Sequence, residues 1–89
     1  MNLRTTAEFR EMFAALPVEV QRQARAAYRR FQQNPHHPGL RFRQVHTTEP
    51  IYSARVGLHY RAVGVLDRGE IVWFWIGSHA EYDALLAQI

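Results

Sequence analysis

The chain has 89 residues, 47% of them apolar and 12% aromatic, which makes it a single domain with enough apolar mass for a packed core and excludes disorder. It has no cysteine, so disulfides, thiolate metal sites and cysteine nucleophiles are excluded, and neither a signal-peptide core nor a membrane-length apolar run is present, which leads us to expect a cytoplasmic protein. The net charge of +3 hides an asymmetry: eight arginines lie between Val20 and Arg61 against Glu49 alone, so that segment carries +7.

Met1 to Arg4 reads as a short edge strand or a tail. Thr5 and Glu8 have capping-box spacing, which starts a helix at Thr6. Phe9, Met12, Phe13 and Leu16 recur at helical spacing and form a buried stripe. Pro17 cannot continue that helix but suits the first turn of another, running to about Gln33. The second helix carries Val20, Ala24, Ala27, Tyr28 and Phe31 on one face. Arg22, Arg25 and Arg29 form a solvated face opposite. The tight corner at Leu16 and Pro17 predicts a helical hairpin.

Asn34-Pro35 ends the helix, and His36-His37-Pro38-Gly39 is a loop. Adjacent histidines invite a metal reading, but neighbouring side chains diverge and no third ligand is spaced to join them. From Leu40 to Val45 the period becomes two, which predicts a half-exposed strand with Arg41 and Arg43 on one side. Ile51 to Val56 and His59 to Leu66 are further strands, and Asp67-Arg68-Gly69 is a hairpin turn. Six apolar residues, Ile71 to Ile76, read as a strand buried on both faces. Ser78 and Glu81 then form a capping box, and a helix runs from His79 to about Ile89 with Tyr82, Leu85, Leu86 and Ile89 on one stripe. The expected fold is α+β: an N-terminal helical hairpin packed on an antiparallel four-stranded meander, with a short C-terminal helix.

Arg55 and Arg61 share a face only if their hairpin has the right register. A two-residue Gly57-Leu58 turn, which local turn rules favour, puts them on opposite faces. A three-residue loop of Gly57, Leu58 and His59 pairs them directly. His59 itself sits at the turn and receives no role.

The order of elements, with Asn34-Pro35, Tyr52-Ser53-Ala54-Arg55-Val56, Tyr60-Arg61-Ala62 and Trp73-Phe74-Trp75-Ile76-Gly77-Ser78-His79-Ala80-Glu81-Tyr82, resembles the RelE/ParE superfamily of toxins from bacterial type II toxin–antitoxin systems. The resemblance covers nearly the whole chain. It implies a cognate antitoxin as partner. In the RelE-like branch it implies cleavage of mRNA on the ribosome without a metal or other cofactor. In the ParE-like branch it implies inhibition of DNA gyrase without nuclease chemistry. A third reading is a non-catalytic RNA- or ribosome-binding module. Carried over by position, the RelE-like branch points to Arg55, Arg61, His79 and Tyr82. On that reading Arg41 and Arg43 form either a solvated strand face or a guide for RNA. Some members carry Lys in the middle strands, where this chain has Ser53 and Arg55.

The residue types suit that chemistry. Metal-free RNA cleavage needs a base for the 2′-OH, cations for the phosphorane and an acid for the leaving oxygen. Guanidinium groups offer parallel donors and stay charged. His79 exchanges protons near neutral pH, while Tyr82 either stacks on a base or packs with its apolar stripe.

Overall fold

A computed structural model describes residues 4–89, so the suggested first strand can be followed only from Arg4, and residues 1–3 lie outside the described part. The period-two stretches pair in sequence order as one antiparallel sheet of β1 (Arg43–Gln44), β2 (Ile51–Val56), β3 (Tyr60–Asp67) and β4 (Glu70–Ser78). Helices α1 (Ala7–Ala14) and α2 (Val18–Gln33) precede the sheet, and α3 (His79–Gln88) follows it. This is the α+β architecture expected from the sequence.

Successive strand residues point to opposite faces, so the register sorts every side chain. Ala54 pairs with Ala62 and Ala62 with Ile76. With Val56 and Trp73 they form the buried core beneath α1 and α2. One step along, Ser53 pairs with both Arg43 and Val63, and Arg61 with both Arg55 and Gly77. These residues point to the second face, which α3 crosses. Trp73 anchors the first face through edge-on contacts with Phe31 at 5.5 Å and Phe42 at 6.5 Å, geometries that aromatic quadrupoles favour. The two N-terminal helices stand apart on this face, α1 over β4 and α2 over β2. Between them lies an apolar cleft of about 590 Å³ with Phe9, Phe13, Phe31, Trp73 and Ile76 in its walls.

Three local expectations are corrected. The cap of α1 is Thr6, whose Oγ1 accepts from the Phe9 N–H at 3.1 Å, and not Thr5. Thr5 instead bridges β4 in parallel: Trp73 N–H donates to Arg4 O, and Thr6 N–H donates to Trp73 O, each at 3.0 Å. The strand read over 40–45 contracts to Arg43–Gln44. Its first part is a 3-10 turn, Pro38–Leu40, ended by Arg41 at φ 46°, a left-handed conformation that breaks the extended run.

Finally, the six-residue apolar run occupies an outer strand of the sheet and is not buried on both faces. A bulge explains its unbroken apolar character. Val63 pairs with Trp75 while Gly64 pairs with Trp73, so Phe74 is extra and Trp73 and Ile76 both reach the core.

Candidate active site

The β2–β3 connection decides whether the arginines act together. It is the three-residue loop: Val56 pairs with Tyr60 and Arg55 directly with Arg61. Gly57 enters the loop at φ 61°, a backbone that side chains resist. A Cβ there would also collide with the side chain of Gln23 on α2. The loop is the one that local turn rules ranked second.

Arg55 and Arg61 are half-buried on the face crossed by α3, and backbone carbonyls orient both. Arg55 Nε donates to Gly57 O, and Arg61 Nη1 donates to Tyr60 O, each at 3.0 Å. Each guanidinium keeps further donors for a ligand. Arg43 joins them from β1, opposite Ser53, and Arg41 from the turn before it. Among the described residues the ion pairs are Arg4 with Asp67 and Glu70, Arg22 with Glu19, and His79 with Asp83. None involves Arg41, Arg43, Arg55 or Arg61. Burial first, then the charges of Arg55, Arg41 and Arg43, push the pKa of Arg61 below its ordinary value, with Tyr82 acting in the opposite sense. Four cations converge without a carboxylate, which is the electrostatics of an anion site.

His79 is the first residue of α3. The capping box before it is present: Glu81 N–H donates to Ser78 Oγ at 3.2 Å, and Ser78 N–H donates to Glu81 Oε1 at 2.9 Å. Those bonds hold the Glu81 carboxyl below its ordinary pKa. The His79 side chain is 52% exposed, and its Nδ1 lies 3.2 Å from Asp83 Oδ2 one turn later. With a proton on Nδ1 shared with that carboxylate, Nε2 is left as an acceptor. The Tyr82 ring stands edge-on to the imidazole, with centroids 5.9 Å apart.

Tyr82 is only 4% exposed. Its hydroxyl donates to the buried Ser53 Oγ at 3.0 Å, and its ring lies 6.4 Å from that of Trp75. Tyr82 therefore pins α3 to the sheet while bracing His79. Asp83 escaped the sequence reading although it carried a visible signal, since four residues separate it from His79 on a helix. Ser53 was named only as a position where some members carry Lys; its bond to Tyr82, 29 residues away, carried no signal.

The other polar features lie elsewhere. His37 Nδ1 accepts from Gly39 N–H at 3.0 Å and closes the 3-10 turn. Arg25 sits 5.1 Å over the Phe13 ring on the helical side. Among the described residues no group of three or more His, Cys, Asp or Glu is placed to hold a metal ion. No helix of the described residues is long and apolar enough to cross a membrane.

Residues 18–84 match the family described as the ParE-like toxin domain. A search of curated proteins returned no match. Among solved structures, the chain is similar to one from the RelB–RelE antitoxin–toxin complex of Methanococcus jannaschii. The TM-score is 0.72 at 14% identity, over 91% of this chain and 96% of that one.

Proposed function

Because this chain belongs to the family of ParE-like toxin domains, within the RelE/ParE superfamily of toxin–antitoxin toxins, we propose that it is a metal-independent, ribosome-dependent mRNA endoribonuclease. The observation that supports this most is the direct pairing of Arg55 with Arg61, neither in an ion pair, on the face crossed by α3, the helix that begins with the half-exposed His79.

Those groups cover the needs of the reaction. Arg55 and Arg61 hold the scissile phosphate and stabilise the charge that grows on it, in a half-buried setting where such contacts are stronger than in water. His79, oriented by Asp83, takes the proton of the 2′-OH through Nε2. Attack of O2′ on phosphorus then yields a 2′,3′-cyclic phosphate and a 5′-OH end. Tyr82 positions α3, and hence His79, through Ser53. Arg41 and Arg43 extend the cationic track along which RNA enters. The partner that restrains the toxin is a cognate antitoxin. It covers the arginine face with carboxylates, as the complementary charge favours.

A second reading, inhibition of DNA gyrase without chemistry, is favoured by the ParE-like name of the matched family. One experiment separates the two. The toxin is induced briefly in a bacterial host and new 5′-OH ends are mapped across the mRNA pool. Arg61→Ala and His79→Ala variants run beside it. Cuts at a fixed place within codons, reduced about 10²-fold or more in each variant, support the nuclease. Growth arrest without new ends favours gyrase. Neither arrest nor ends favours a binding module.

A further inference from the structure

We propose that Trp75 is a substrate-binding residue of this nuclease: its indole is the platform on which one base of the mRNA stacks, beside the phosphate held by Arg55 and Arg61. The inference deepens the nuclease reading and rests on it.

The register places the ring. Arg61 pairs with Gly77 across β3 and β4, and Trp75 stands two residues before Gly77 on the same face. Gly77 has no side chain, so the position opposite Arg61 is open. The indole of Trp75 fills it. A Cβ at Gly77 would meet Trp75 Cζ2 at 2.8 Å and Cη2 at 2.9 Å, closer than ordinary contact. Directly opposed residues of antiparallel strands hold their Cβ atoms about 4.5–5.5 Å apart. The far end of the indole therefore lies next to Arg61, which itself pairs on its other side with Arg55.

The fold leaves that ring available. Trp73 is buried in the core, whereas Trp75 is only partly buried. Among the described residues its aromatic neighbour is Tyr82, with centroids 6.4 Å apart and planes tilted by 41°, which is neither stacked nor edge-on. Tyr82 is itself tied to Ser53. The indole N–H of Trp75 has no hydrogen-bond partner among the described residues, and no buried side-chain nitrogen or oxygen there goes unpaired, so this N–H reaches water. A partly open tryptophan beside two opposed arginines suits a single-stranded nucleic acid. The cations take the phosphate, and the ring takes the face of a base. Every base has such a face, so Trp75 adds binding and alignment without choosing the sequence.

The test uses purified toxin on programmed ribosomes in single turnover, with a set of mRNAs that each lack the base of one nucleotide around the cut site. We expect one abasic position to slow the wild type by about 5–150-fold, the range for loss of one stacked base. Trp75→Leu keeps apolar bulk but has no aromatic face. It should slow cleavage of the intact mRNA by a similar factor, and the same abasic position should then cost it no more than about twofold further. Trp75→Phe should keep most of the rate, and melts should show both variants folded at the assay temperature. Trp75→Leu that cuts intact mRNA at the wild-type rate, or that loses the full factor again at the abasic position, overturns the platform. So does a wild type that no single abasic position slows, a result that needs no variant to fold. Wild-type toxin that leaves intact mRNA uncut overturns the nuclease reading itself.

Discussion

In β2, Ala54 and Val56 point to one face of the sheet, and Ser53 and Arg55 point to the other. The first face lies beneath two helices and carries Trp73, Ile76, Phe31 and Phe42 packed against those small residues. The second lies beneath α3 alone, and Tyr82 is the buried residue of that helix. One face is filled with apolar surface, whereas the other gathers Arg41, Arg43, Arg55 and Arg61, none of which forms an ion pair among the described residues. Such a cluster costs folding free energy through mutual repulsion and partial desolvation. The difference separates a face that stabilises the fold from one whose charges cost it stability.

Breaking the core face should give the largest effect. Trp73→Ala removes the ring that meets Phe31 and Phe42 and leaves a void where the sheet meets α2. We expect a loss of about 3–5 kcal/mol in urea unfolding. A loss below ~1 kcal/mol would show that the neighbouring cleft collapses easily and that the face is less filled than its geometry indicates. A smaller effect tests where the two faces meet. Tyr82→Phe deletes the donor to Ser53 Oγ and leaves a buried hydroxyl without its partner. The expected cost is about 1 kcal/mol, with part of it recovered when Ser53→Ala is added. Independent, additive losses would mean that the hydroxyl bond does not fasten α3.

How much of this was legible depends on the range of the signal. The amphipathic run of α2 and the Ser78–Glu81 box are local, and both stand within a residue of where the sequence put them. The start of α1 slipped because Thr5 and Thr6 both suit a cap, and only the bridge to Trp73 distinguishes them. The alternation around Leu40 and Phe42 looked like a strand, yet it arises from a 3-10 turn and a left-handed Arg41. The bulge at Phe74 is invisible in an unbroken apolar run. At the candidate site, the sequence could pose the Arg55–Arg61 question but not answer it. Both loop lengths place Gly57 at the turn, so the answer appears only in the register, which pairs Val56 with Tyr60.

The smallest predicted effect has the opposite sign to the others and makes the sharpest test of the comparison. Arg61 is half-buried, stands directly opposite Arg55 and lacks an acidic partner among the described residues. Burial and like charge both disfavour its charged form, which is why its pKa lies below the ordinary arginine value. A cation with a folded pKa below its unfolded one destabilises the fold wherever it is charged, and relief comes only at strongly alkaline pH, as the folded group loses its proton first. The penalty is therefore flat from about pH 5 to 9. Arg61→Gln removes the charge and keeps a donor for Tyr60 O. We expect it to stabilise the protein by about 0.2–1 kcal/mol at low salt, the range for directly opposed like charges in a sheet. The gain should shrink toward zero in about 1 M NaCl, where the screening length falls to about 3 Å. Thermal melts at two salt concentrations measure it. A destabilisation insensitive to salt would place Arg61 among the packing residues and erase the division between the two faces.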